Sequence, residues 1–148
     1  MAAEQAGEVL LVQNARKFTS EGETITLHGV AATLYFADGP QREVGHLQTR
    51  ELVELWSMGA NSLAEDPPHA VLTFFDRLLP REDLPPENVV VVLRNPRLHG
   101  DALTYSVEIL DGVLPAETGG CTLFIDVAGR PDGPLAVAGA WQRAVRPY

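Results

Sequence analysis

The sequence contains a single cysteine and no long apolar run. Cys121 cannot form an intramolecular disulfide, so stability must come from packing, as is usual in a reducing compartment. Because Cys121 opens an apolar segment that ends at Ile125, we predict a buried structural thiol rather than a nucleophile. Apolar runs such as Val89 to Leu93 are far shorter than the roughly 20 residues of a membrane-spanning helix. We therefore expect a cytoplasmic protein without a transmembrane segment.

Basic residues are also scarce. Eleven lysines and arginines stand against twenty aspartates and glutamates, which gives a formal net charge of -9. This sign is unfavourable for a surface that must bind phosphates, so we expect neither nucleic acid nor a membrane as a partner. The first residues, up to Glu8, are acidic where a signal peptide has a basic start, which predicts that the chain is not exported.

The familiar catalytic motifs are missing as well. The sequence has no phosphate-binding glycine loop, no Gly-x-Ser-x-Gly segment, no His-Glu-x-x-His segment and no Cys-x-x-Cys pair. The four histidines are scattered, with none at a spacing that would place two of them on one face of a helix or strand. We therefore expect no metal and no cofactor.

What the sequence does contain is a series of short strand-like segments. Its 148 residues suit a single domain that spans the whole chain, 1–148. About eight candidate strands separated by proline and glycine turns predict a mainly β fold, an antiparallel barrel or sandwich. The candidate strands are Val9–Gln13, Thr24–Val30, Ala32–Phe36, Ala70–Phe75, Val89–Arg94, Ala102–Leu110, Thr122–Val127 and Leu135–Gly139. The segment Asn95–Asp101 is expected to be the turn of a hairpin.

One segment has the periodicity of a helix instead. Between Thr49 and Met58 the apolar residues Leu52, Val53, Leu55 and Trp56 share one helical face. Thr49 is the expected N-cap. We predict one short amphipathic helix that closes an end of a barrel or lies over one sheet.

The segment from Tyr35 to His46 combines an acid, a guanidinium and an imidazole in what we predict to be a loop after a strand. Asp38, Arg42 and His46 are the candidate catalytic residues, because together they could orient and protonate a bound carbonyl or enol. A structural interpretation stays open, in which Asp38 and Arg42 form a turn with an ion pair and His46 caps the helix.

Candidate ligand-binding residues are large aromatic side chains that carry a polar atom, together with one arginine. Tyr35, Trp56 and Tyr105 could line an apolar pocket and add hydrogen bonds, and Arg94 could hold a carboxylate. The same residues also suit an ordinary core and a hairpin ion pair.

Several segments resemble a family of small bacterial β-rich proteins. They are Tyr35–Arg42, Gly45–His46, Asp66–Ala70, Val90–Pro96, Gly100–Tyr105 and Leu123–Pro131. The resemblance implies a shared fold and a bacterial source, and it carries no activity with it. This sequence departs from the family at Gly39, where the family has a basic residue before the proline. It also departs in the expected lack of export, since many family members have an export signal.

These features lead to one main hypothesis and two alternatives. We expect a small-molecule site within the β-structure, used for cofactor-free chemistry such as cyclisation or isomerisation of a largely apolar substrate. A binding module without chemistry, for a ligand or a protein, is the first alternative. The second is an assembly protein that forms homo-oligomers through an exposed strand or the Trp56 helix.

Overall fold

The computed structural model describes residues 9–38, 42–58, 62–75, 88–127 and 146–147. These residues form one antiparallel sheet of eleven strands and one helix, which confirms the predicted mainly β fold. In chain order the elements are β1 (Val9–Ala15), β2 (Lys17–Glu21), β3 (Thr24–His28), β4 (Thr33–Asp38), β5 (Arg42–Leu47), α1 (Thr49–Leu55), β6 (His69–Phe74), β7 (Asn88–His99), β8 (Ala102–Asp111), β9 (Glu117–Thr118), β10 (Cys121–Asp126) and β11 (Arg146–Pro147). Across the sheet the order is β11-β5-β4-β1-β10-β6-β7-β8-β3-β2-β9.

The first two strands give the sheet a barrel-like shape. β1 is the fourth strand across the sheet and β2 is the tenth, although only Arg16 separates them in the chain. β1, Arg16 and β2 act as one bent strand, and β9 continues the line of β10 beside it. Ala15 of β1 pairs with Cys121, and Phe18 of β2 pairs with Thr118. The sheet is open, with β11 and β9 as its end strands. It nevertheless curls far enough for the strands between β1 and β2 to surround one interior.

Alternating side chains of these strands fill that interior. In β3, Ile25 and Leu27 are fully buried while Thr26 between them is half-buried, as the period of two predicts. In β8 the alternation holds as far as Val107, but Ile109, the next residue on the same face, is 40% exposed. Among the largest fully buried side chains are Phe18, Leu11, Leu72, Leu93, Leu103 and Leu123.

Two predicted segments change in the structure. The segment from Arg42 to His46, expected to be a loop, lies within strand β5. Its apolar and polar residues do not alternate clearly, but β4 pairs with it along its whole length in an antiparallel ladder. β7 continues as far as His99, with Asn95 at a φ of 53°, so the expected turn at 95–101 shrinks to Gly100 and Asp101. The predicted hairpin between β7 and β8 itself is confirmed. The predicted strand at 135–139 lies outside the described residues.

The helix α1 is shorter than predicted and begins differently. It ends at Leu55, and its N-cap residue is Gln48, which makes no side-chain capping bond. The prediction that Thr49 caps the helix is wrong, because Thr49 lies in the first turn and its hydroxyl bonds elsewhere. His46 does not cap α1 either, since it lies in β5. Within the described ranges, no helix combines the length and the apolar character needed to cross a membrane.

Candidate functional site

A chain of buried polar side chains runs between the sheet interior and the helix. Tyr105 Oη lies 2.8 Å from Gln13 Oε1, and Gln13 Nε2 lies 3.2 Å from Thr33 Oγ1. The chain continues over 3.0 Å to Thr49 Oγ1, which lies 2.9 Å from the carbonyl oxygen of Ala31. Gln13, Thr33 and Tyr105 have no solvent exposure, so the links among them form away from water, while the last link, to Ala31, is part-buried.

The carbonyl of Ala31 determines the direction of every bond in this chain, because a carbonyl oxygen can only accept. The Thr49 hydroxyl donates to Ala31, so the Thr33 hydroxyl must donate to Thr49. Thr33 then accepts from the Gln13 amide nitrogen, which turns the Gln13 carbonyl oxygen toward Tyr105. The Tyr105 hydroxyl therefore donates its proton to Gln13, and its oxygen can only accept a further hydrogen bond.

Burial keeps the Tyr105 phenol neutral. Removal from water disfavours the phenolate and raises its pKa well above the usual 10.0, and the hydrogen bond to Gln13 offsets this only in part. Two other titratable groups of the buried core behave in the same way. Burial raises the pKa of Cys121 to about 12, and burial followed by the charge of Glu43 raises the pKa of Tyr35. These three groups are uncharged at neutral pH.

Trp56 lies beside this chain, immediately after α1. Its indole ring is 3% exposed, and its centroid lies 5.8 Å from that of Tyr105, with the rings tilted by 52°. This distance is typical of a favourable aromatic pair. The helix therefore carries Trp56 onto the interior side of the sheet, in agreement with the prediction that it covers one end or face.

The indole nitrogen of Trp56 is the unusual feature of this region. Among the residues that the structure describes, it is the one buried side-chain polar atom without a hydrogen-bond partner. Leaving such a donor unpaired costs about 1–3 kcal/mol, so buried donors nearly always have an acceptor. An N–H group that no described protein atom satisfies indicates a place where a bound molecule could supply the acceptor.

The structure brings together only some of the residues that the sequence predicted for the site. Trp56 and Tyr105 come together inside the sheet. Arg42 and His46 lie on β5, on the face opposite to Gly45 and Leu47, which are buried, and each makes an interaction of its own. The backbone of Asp38 pairs with that of Arg42 across the β4–β5 hairpin. Arg42 and His46 are four residues apart on one strand, roughly 13 Å.

Tyr35 and Arg94 also lie apart. Tyr35 is 7% exposed and, by strand alternation, is on the inner face of β4, where it pairs in register with Leu11. Arg94 is exposed on β7 and forms an ion pair with Glu108 at 3.3 Å. Arg94 thus takes the hairpin-pairing role that the sequence left open beside carboxylate binding.

Two members of the buried chain were missed in the sequence. Gln13 follows Val9 and Leu11 at a spacing of two, which places it on the buried face of β1. That pattern could have revealed it, since a polar residue at an inward position needs a partner. Thr33 carried no such signal, because its role depends on contacts with Gln13 and Thr49 that lie 20 and 16 residues away in the chain.

The four histidines do not assemble a metal site in the described part of the chain. No group of three or more histidine, cysteine, aspartate or glutamate side chains there has the geometry to hold an ion. His28 instead shares a hydrogen bond of 2.9 Å with Thr19. Cys121 is buried, as predicted.

Comparison of the chain with protein families, with curated proteins and with solved structures finds no match. The resemblance drawn from the sequence segments therefore stays a prediction, and the function is inferred from the geometry of the site.

Proposed function

We propose that this protein binds a small, largely apolar molecule inside the curled sheet, against Trp56 and Tyr105. The observation that carries the proposal is the buried Trp56 N–H, which has no acceptor among the described residues. The surroundings are apolar and aromatic, with few polar groups, as in most small-molecule sites. The cytoplasm is the compartment that we propose, since the single cysteine suits a reducing environment.

The predicted cyclase or isomerase activity would use the same binding step. At neutral pH the phenol of Tyr105 is held protonated by burial and already donates to Gln13. Such a group is suited to orienting a ligand rather than to abstracting a proton. Asp38, Arg42 and His46, which would supply acid–base chemistry, belong to a hairpin whose Arg42 and His46 lie on the face opposite to the buried one. Binding is therefore the function that the geometry favours.

An assembly role through the helix has less support. Trp56, its largest apolar side chain, is 3% exposed and contacts Tyr105. A side chain buried in this way offers little surface to a partner protein.

The proposal can be tested with the neutral fluorescent probe N-phenyl-1-naphthylamine, whose emission rises in apolar surroundings. We expect saturable binding of one molecule per chain. Trp56→Phe should weaken binding several-fold, because it removes the N–H donor and part of the ring area.

Phe124→Leu is the matched control, because Phe124 lies on the outer side of β10 and is 36% exposed. This variant should bind the probe with unchanged affinity. If Phe124→Leu weakens binding while Trp56→Phe does not, or if the probe does not bind, the proposal is wrong.

A further inference from the structure

We infer that the ligand contacts the site through a neutral group that both accepts and donates a hydrogen bond, such as a hydroxyl or a primary or secondary amide. This inference rests on the proposed function and names the class of ligand. It follows from two observations: the unpaired Trp56 N–H can only donate, and the direction of the buried hydrogen-bond chain leaves Tyr105 Oη able only to accept.

Trp56 supplies the donor. The indole N–H has no lone pair to offer and can only donate. Because it is buried without a described partner, the ligand must present an acceptor to it. A hydrocarbon would leave this donor unsatisfied and would lose the corresponding free energy.

Tyr105 supplies the acceptor. Its proton is committed to Gln13 Oε1 at 2.8 Å, since the chain that ends on the Ala31 carbonyl leaves no other arrangement. A second group near Tyr105 Oη can therefore only donate to it. The ring centroids of Trp56 and Tyr105 lie 5.8 Å apart, and the inferred ligand places one small polar group against both side chains.

The surroundings select against a charged ligand. The polar side chains of the site, Gln13, Thr33, Thr49 and Tyr105, are all neutral, and no basic side chain belongs to the described core. An unpaired carboxylate in such surroundings would carry a large desolvation cost. Arg94, the cation that could hold a carboxylate, is exposed and paired with Glu108.

The test uses four six-membered-ring compounds that differ in one group: cyclohexanol, cyclohexanone, methylcyclohexane and cyclohexanecarboxylate. Binding to the full chain is followed by the ¹H–¹⁵N resonance of the Trp56 indole, which is assigned from its loss in Trp56→Phe. Cyclohexanol should bind about five- to tenfold more tightly than cyclohexanone, the gain expected of one added hydrogen bond. Both should move the indole proton downfield, and the carboxylate should bind most weakly.

Tyr105→Phe separates the role of the acceptor from a general effect of polarity. In this variant the preference for cyclohexanol over cyclohexanone should fall to within twofold, while both still shift the Trp56 resonance. Equal affinities for the alcohol and the ketone in the unmodified protein would overturn the inference and leave the binding function standing. No saturable shift with any of the four compounds would overturn both.

Discussion

Gln13 illustrates how one residue organises the interior of this sheet. It lies at an inward-facing position of β1, and the neighbouring inward positions hold apolar side chains. Its side chain accepts a hydrogen bond from Tyr105 and donates one to Thr33. In a medium of low dielectric such a chain is stabilising only when each member is satisfied. Every bond is fixed in direction by the carbonyl of Ala31, so the loss of one link leaves a buried group unpaired.

Thr33→Val tests this at the central link. The substitution keeps the shape of the side chain but removes the acceptor for Gln13 and the donor to Thr49, so it should lower the free energy of unfolding by about 1–3 kcal/mol. Urea denaturation measures the change. Thr26→Val is the matched control, since Thr26 is half-buried and shares a longer contact of 3.4 Å with Thr104. The control should stay within about 0.5 kcal/mol, and equal losses in both variants would contradict the role of the buried chain.

At the scale of elements, β8 is held between two glycines with positive φ. Gly100 precedes it with a φ of 62°, and a Cβ there would meet nothing within 4 Å. Gly112 follows it with a φ of 97°, and a Cβ there would lie 3.0 Å from the carbonyl oxygen of Asn88 and 3.2 Å from Cα of Val89. The second turn therefore needs glycine for both backbone conformation and space.

Alanine substitution at each glycine separates these two requirements. Gly100→Ala should cost about 1–2 kcal/mol of stability, the strain of a left-handed alanine. Gly112→Ala should cost clearly more, because the backbone of β7 must also move. Thermal unfolding compares the two variants directly. If Gly112→Ala were the milder change, the close approach of this turn to β7 would be refuted.

The β4–β5 hairpin leads to a prediction about binding. Arg42 is exposed and His46 is half-buried on the face opposite to buried Gly45 and Leu47. Arg42→Ala and His46→Ala should therefore leave the affinity for N-phenyl-1-naphthylamine within about twofold, since the local hydrogen bonds at the interior site are unchanged. Fluorescence titration provides the measurement. A loss of binding in either variant, without a loss of folding, would indicate that the ligand site lies at this hairpin.

At the scale of the whole molecule, stability depends on buried groups that must stay neutral. The pKa of Cys121 rises from 9.0 to about 12 on folding, and that of Tyr105 rises well above 10.0. A raised pKa in the folded state means that the unfolded chain loses its proton first. The stabilisation is complete below pH 9 and is lost as the pH rises through the folded-state values.

The free energy of unfolding should therefore be flat between pH 7 and 8 and fall above pH 9. Urea denaturation at pH 7.5, 9.5 and 10.5 would show this decline. Cys121→Ala should delay its onset, because the remaining buried phenols titrate only from about pH 10 in the unfolded chain. A decline that is identical with and without the thiol would contradict the assignment to Cys121.

The sequence by itself determined the fold class and much of the inward pattern. Alternation is a local property, so Ile25 and Leu27 could be assigned to the interior, and the apolar context of Cys121 predicted its burial. The helix was also visible, because Leu52, Leu55 and Trp56 recur with its period. The N-cap of the helix could not be predicted from the sequence, since the Thr49 hydroxyl bonds to Ala31 and Thr33 rather than to the helix backbone.

Only the tertiary structure decided which candidate residues lie together. Trp56 and Tyr105 were each predicted as ligand-binding residues, and the structure places their rings side by side. Arg42 and His46, in contrast, belong to strand β5, because β4 pairs with that segment. The physical reason is that strand periodicity assigns a face but not a partner strand. The curl between β1 and β2 brings Gln13 to Tyr105, 92 residues later in the chain, and creates the interior in which the Trp56 donor is buried.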